Sequence, residues 1–347
     1  MSAMLLIACD EWRLWYRSRL HTAGAFLFTL LLVSITVFTF LKTTTEKNQR
    51  IQHQAEADSL FEAQPDRHPH RMVHYGHYVF RTPAPLAVFD PGVDEVTGES
   101  IFLEGHRQND STFADARSGV NLGAFGRLTP ALLYQVFFPL LLIALGHGIV
   151  LREYESGTLA TMIAQGTSAT AIVFGKLLAL IGVVSISLIP ATAIVASAVV
   201  NGESLMVGAA LISTYAVYLL TWTVFILLIS LIGLDRSLTL GILLLTWTAV
   251  AVITPRLGVA VARARHFTPS KVEADLQMQT ELRALGDGHS LSGPVFARLR
   301  DKLLKQHGVE RVEDLPVNIR GVMAEASEAE LTKVLNAYAE KRMVQQL

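Results

Sequence analysis

The chain has one cysteine in 347 residues, Cys9, so no disulfide can form within it. Any lobe outside a membrane must therefore hold together by packing alone. Charge is scarce as well: 17% of residues are Asp, Glu, Lys or Arg, where an ordinary soluble domain has about 25%. With 51% hydrophobic residues, that deficit points to a membrane protein. Neither sign of charge is in excess, since the net charge is −1, and without a basic face a nucleic-acid partner is disfavoured. A cleavable signal pattern is missing. Asp10, Glu11, Arg13, Arg17 and Arg19 precede the first apolar run, which is too long for an h-region. No zincin helix, nucleophile elbow or dinucleotide fingerprint occurs. Gly175-Lys176 fails as a nucleotide loop, because that pattern needs glycine where Thr170 stands and Ser or Thr where Leu177 stands. The chain reads as a non-enzyme that binds no cofactor. If ATP drives it, another chain holds the nucleotide.

Long apolar runs are plentiful. Met1 to His21 is a short amphipathic lead-in, in which Leu5, Trp12, Trp15 and Tyr16 mix with arginines as suits an interfacial helix. Thr22–Leu41 carries no charge and is long enough to cross roughly 30 Å of hydrocarbon. Further spans are expected at Leu128–Leu151, Ala169–Val200 (with Pro190 inside), Leu205–Leu234 and Leu238–Thr254. The domain plan is thus 1–42 for the interfacial helix and first span, 43–127 for a polar insertion, 128–254 for spans two to five, and 255–347 for a second polar segment. Short loops orient the bundle. The Asn201 loop has no base, whereas the N-terminal segment and the connections at Arg152 and Arg236 do. This puts the N-terminus in the cytoplasm and both large segments outside. The insertion is rich in proline and glycine, so it is expected to be irregular and partly stranded, with Thr82 to Phe89 as the extended stretch. Phe89 and Phe102 are expected to be buried, either within this lobe or against the second outside segment. That second segment is expected to be helical over Lys271–Leu285, Pro294–His307 and about Asn318–Leu347. Five spans leave the C-terminus outside, with Leu347 inside an uncapped helical pattern, and a sixth span is expected beyond the chain end.

The main polar signature is Arg152-Glu153-Tyr154-Glu155-Ser156-Gly157-Thr158-Leu159, in a connection (152–168) between two spans. Leu159, Met162 and Ile163, spaced i, i+3 and i+4, give a short helix there one apolar face. Gly157 permits a sharp change of direction from span to surface helix. Glu153 and Glu155 sit where the second span leaves the lipid, where an unpaired acid gains nothing from the membrane, and a basic groove on a soluble protein would offer them partners. Lys176 is expected to lay its stem in lipid and snorkel to the surface. His68, His70, His74 and His77 are candidate ligands for a metal, and surface or packing histidines are the alternative. Gln135 and His147 either line a polar path or hydrogen-bond a neighbouring helix. Trp222 and Trp247 are read as packing.

The Arg152–Leu159 stretch, followed by Gly175-Lys176-Leu177, resembles the ABC-2 type permeases of ATP-binding-cassette transporters. Within them it resembles a branch with large periplasmic insertions between spans one and two and after span five. His74-Tyr75-Gly76-His77-Tyr78, Pro85-Leu86-Ala87-Val88-Phe89-Asp90-Pro91-Gly92, Phe102-Leu103-Glu104-Gly105-His106-Arg107-Gln108-Asn109 and Glu313-Asp314-Leu315-Pro316-Val317-Asn318 carry the second likeness. The resemblance implies a mainly α, polytopic bundle in a bacterial cytoplasmic (inner) membrane. Arg152, Glu153, Glu155, Gly157, Thr158, Leu159, Met162 and Ile163 would form the coupling helix that docks on an ATPase. It further implies two ATPase copies carrying ATP and Mg, and a second permease subunit. Two functions then compete with a ligand-binding receptor, which the lack of a signalling domain disfavours. One is substrate export driven by the partner's ATP hydrolysis. The other is mechanotransmission to a periplasmic protein without translocation.

Overall fold

A computed structural model describes residues 2–66, 72, 75–92, 98–104, 128–232, 235–265, 271–285 and 294–346. These fall into two compact units, drawn from Met1–Glu62, Tyr78–Ile101 and Ser111–Gly258 and from Ala63–His77, Phe102–Asp110 and Val259–Leu347.

In the first unit, α1 (Ala3–Arg17) starts at Ser2, whose hydroxyl accepts the Leu5 N–H, and breaks at Ser18, where ψ is 112°. After that break α2 (Arg19–Glu62) runs as one helix through the first apolar stretch and its charged extension. Leu32, Ile35 and Thr39, spaced i, i+3 and i+7, form its buried stripe. Phe26, Leu27, Leu30, Val33, Val37 and Phe38 point outward, as a lipid-facing helix requires. The second long helix, α3 (residues 130–146), is capped by Thr129 with Pro130 at its first position. Two short helices follow, α4 (Leu151–Glu155) and α5 (Thr158–Ala164). Then come α6 (Ala169–Val200), capped by Ser168, α7 (Leu205–Leu231) and α8 (residues 236–265), capped by Asp235. Among the described residues five helices are long and apolar enough to cross a membrane: His21–Glu62, Pro130–Glu155, Ala169–Val200, Leu205–Leu231 and Arg236–Ala262. The expected mainly helical bundle with five spans is what is found.

Two of these spans carry a π-helical turn, Leu133–Phe137 in α3 and Ala249–Ile253 in α8. Each lies just ahead of a proline, Pro139 and Pro255. A proline inside a helix lacks the N–H that would bond the carbonyl four residues back, and its ring crowds that carbonyl. In α3 that carbonyl belongs to Gln135, and it accepts the Tyr218 hydroxyl at 2.7 Å instead. The neighbouring Val136 carbonyl accepts Trp247 Nε1 at 2.9 Å. The π turn in α8 absorbs Pro255, so the helix does not stop at Thr254 as the sequence suggested but continues to Arg265.

The insertion contributes a two-stranded sheet, β1 (His77–Phe80) and β2 (Ser100–Leu103). Beyond one end Arg81 N–H donates to Glu99 O at 2.8 Å, so the strands run antiparallel. The extension of α2 ties to this sheet. The Gln54 amide donates to Tyr78 O and accepts Phe80 N–H, while Arg50 pairs with Glu99 at 2.9 Å. The extended stretch expected at Thr82 to Phe89 is not found there. Pro85 begins a 3₁₀ turn, Pro85–Val88, because its fixed φ suits the first position of a helical turn. That turn delivers Phe89 into the bundle, where the ring is 0% exposed. It stacks 6.1 Å from Tyr134 and meets Tyr215 edge-on at 5.3 Å, and its carbonyl accepts the Ala131 N–H. Phe89 is therefore buried against spans two and four, neither within its own lobe nor on the second outside segment. The core continues inward through Phe138, Leu142, Val184, Leu219, Trp222 and Ile226.

In the second unit, α9 (Lys271–Leu285), α10 (Pro294–His307) and α11 (Ile319–Gln346) match the expected helices closely. Gly308 (φ +66°) ends α10, and Tyr338 joins α11 to α9 by donating to Glu281 at 2.9 Å. Phe102 is half-buried, with its ring lying over Gly76 where a Cβ would otherwise stand.

Candidate functional site

The connection between the second and third long helices holds two features, an exposed helix and a buried charge cluster beneath it. Chain direction changes at Gly157, which caps α5 at φ +74°, a conformation L side chains rarely adopt. None of the side chains of α5 is buried. Leu159 and Met162 are partly covered, and Ile163 is 52% exposed. Thr158, the first residue of α5, donates its hydroxyl to Glu153 Oε2 and to the Glu153 carbonyl, and Ser156 hydrogen-bonds Thr158. Glu153 on α4 thereby pins the base of α5.

Glu153 does not wait for a partner from outside. Its Oε1 accepts Lys176 Nζ at 3.2 Å and Arg152 at 3.5 Å. Lys176 also donates to Glu11 Oε1 at 2.6 Å, and Arg152 donates to both oxygens of Glu11 at 2.6 and 2.8 Å. Two acids and two bases from α1, α4 and α6 thus balance one another. The snorkelling expected of Lys176 is overturned: it is 1% exposed, held inward by Glu11, which is equally buried. Removing one member of a buried pair costs about 3–5 kcal/mol, because the other is left uncompensated. Glu155 is likewise not unpaired. It lies 2.7 Å from Arg236 Nε, close enough for an ion pair although that N–H is not aligned for a hydrogen bond, and both side chains are substantially exposed. Exposed pairs of this kind contribute about 0–1 kcal/mol.

Sequence reasoning passed over Glu11. The signal was present, since Ala8, Glu11 and Trp15 share one stripe of α1 and a lone acid on an apolar stripe needs a partner. What the sequence does not carry is which base supplies it.

The other candidates lie apart from this cluster. Gln135 donates to the Tyr215 hydroxyl at 2.7 Å, bonding a neighbouring helix. The ring Nδ1 of His147 sits on the Ile143 and Ala144 carbonyls of its own helix. Nothing brings Gln135 and His147 together. Of the four histidines, His77 opens β1, while His68, His70 and His74 lie outside the described residues. Among the described residues no three of His, Cys, Asp and Glu gather as a metal ion would need.

Among the described residues five helices able to span a bilayer, with a short exposed helix between two of them resting on a buried charge cluster, define a polytopic membrane protein. The model of the ABC-2 family transporter protein matches residues 5–285, and the chain belongs to that family. It is accordingly a multi-pass membrane protein, the permease component of an ABC transporter, in a family that implies an ATPase partner. Residues 271–347 match a second family, described as Domain of unknown function (DUF3526). No curated protein matches the chain.

Proposed function

We propose that this permease couples ATP hydrolysis by a separate ATPase subunit to export of a substrate, and that α5 is the coupling helix on which the ATPase docks. The observation that carries this reading is the exposure of α5. A helix with no buried side chain, fixed at its base, leaves Leu159 and Met162 only partly covered and Ile163 exposed among the described residues, an apolar face open to a partner. Covering one large apolar side chain contributes roughly 1.5–3 kcal/mol, more than an exposed ion pair. The apolar face therefore holds the ATPase, while Glu155 and Arg236 set its register. The working assembly has two ATPases carrying ATP and Mg and two permeases, in a bacterial inner membrane with the N-terminus in the cytoplasm. Leu159→Asp should release the ATPase from detergent-purified complexes, whereas Glu155→Ala should leave the complex assembled and weaken coupling. Retention of both the ATPase and ATP-dependent function in Leu159→Asp would overturn the assignment.

A second reading draws support from Phe89. A residue of the periplasmic insertion seated among the spans lets span motion reach the outside lobe, as mechanotransmission to a periplasmic protein requires. Capture of such a protein by the complex, with no substrate crossing in sealed vesicles, would favour it over export.

A further inference from the structure

We infer that Glu11 and Lys176 are positioning residues for the coupling helix, joining α1, the α4–α5 connection and the third span into one body that moves together when the ATPase moves. The inference rests on α5 being the docking helix and names what aims it.

A seven-residue helix with no buried side chain cannot hold its direction by its own packing, and in isolation it would not persist in water. Its direction must come from its base. Thr158 is held by one oxygen of Glu153, and the other oxygen of that carboxylate takes Lys176 at 3.2 Å. Lys176 takes Glu11 at 2.6 Å, and Arg152 closes the ring onto Glu11 at 2.6 and 2.8 Å. An unbroken line of polar contacts therefore runs from α1 to the first residue of α5. Glu11 and Lys176 sit at its most buried point, where charged contacts are strongest and most directional.

The far end of this line is itself fixed. A Cβ on Gly175 would lie 2.8 Å from Ile7 Cβ and 2.9 Å from the Met4 carbonyl, so α1 and α6 touch backbone to backbone beside Lys176. One turn further along, Trp12 Nε1 donates to the Ala179 carbonyl at 3.1 Å. Sliding α1 along α6 would break that bond and pull Glu11 from Lys176. The chain on the other side of α5 offers no comparable hold, since it leaves through Gly166 at φ +89° and residues 165–168 are exposed or partly so. A cluster that merely stabilised the fold would change the yield of folded protein. A cluster that aims α5 changes the direction of α5 in protein that is folded.

Spin labels at positions 13 and 161, both exposed and the second away from Leu159, Met162 and Ile163, in a Cys9→Ser background would read this direction as an α1–α5 distance distribution by pulsed electron resonance. The full chain is measured with its co-purified ATPase, nucleotide-free and ATP-trapped, and again without the ATPase. The expected result is one narrow distance, the same in both nucleotide states. Glu11→Gln and Lys176→Met should each lose the narrow peak, and Lys176→Arg should restore it. Should the single variants fail to fold, Glu11→Gln combined with Lys176→Met keeps the cluster neutral and should fold while still losing the peak. A narrow peak in any of these uncharged variants, or a native distance that changes between nucleotide states, would overturn the inference. Because the distance is also measured on the permease alone, it stays informative if Leu159→Asp shows that the ATPase docks elsewhere.

Discussion

Replacing Phe89 by alanine should loosen the join between the 78–101 stretch of the insertion and the spans. The ring is fully buried, stacked on Tyr134 and edge-on to Tyr215. Deleting a buried phenylalanine side chain costs about 3–5 kcal/mol through lost burial and the cavity left behind. Aromatic pairing accounts for about 0.5–1.5 kcal/mol per contact within losses of this class. The backbone bond from Ala131 N–H to the Phe89 carbonyl needs no side chain, so the loss stays with the ring. In a unit of this size each kcal/mol lowers Tm by roughly 2–4 °C, which makes a fall of about 6–20 °C. Thermal unfolding of the detergent-purified chain, followed by tryptophan fluorescence, measures it. Phe89→Leu keeps much of the apolar volume and should fall less, and Phe102→Ala, at a half-buried site, should also fall less. An unchanged Tm for Phe89→Ala would refute the claim that Phe89 keys that stretch to the bundle.

The Tyr218 hydroxyl serves the carbonyl that Pro139 strands, so Tyr218→Phe should cost about 0.5–1.5 kcal/mol in the native chain. The same change should cost less on a Pro139→Ala background, where an N–H at 139 can serve the Gln135 carbonyl again, and equal costs in a double-mutant cycle would contradict this account of the π turn. In the second unit, burial and the adjacent Glu281 carboxylate raise the Tyr338 pKa above its ordinary value. A raised pKa stabilises the folded form fully below the unfolded value of about 10 and is lost as pH rises through the folded value. Tyr338→Phe should therefore unfold more readily than the native chain at neutral pH, with the gap closing above pH ~10, and a gap independent of pH would count against the Glu281 pairing.

Helices were legible wherever apolar periodicity and caps agreed. Ala169–Val200 follows from the length of its apolar run, and Pro294–His307 from Pro294 and Gly308, residues whose backbone preferences mark helix ends. Pro255 misled for a local reason: proline marks a helix end unless a π turn absorbs it, and nothing in the sequence around Pro255 separates the two outcomes. Pro85 misled in the same way, opening a 3₁₀ turn where an extended edge was expected. The site was half legible. Gly157, the acids and the apolar face of α5 stand in one stretch, and their family likeness made the stretch recognisable. The cluster beneath it was not legible, because Glu11 and Lys176 are brought together only when α1 packs on α6. The burial of Phe89 among the spans is likewise a matter of tertiary packing, since the aromatic residues that receive it come from α3 and α7.

The central claim is that α5 meets the ATPase, and contact at α5 is the direct way to test it. A photo-crosslinking residue placed at Ile163, exposed on α5, should give an adduct with the ATPase subunit in intact cells. The same residue placed at Asn201, in the turn between α6 and α7, should give none. An ATPase adduct from Asn201, or none from Ile163 in a complex that still contains the ATPase, would contradict the account.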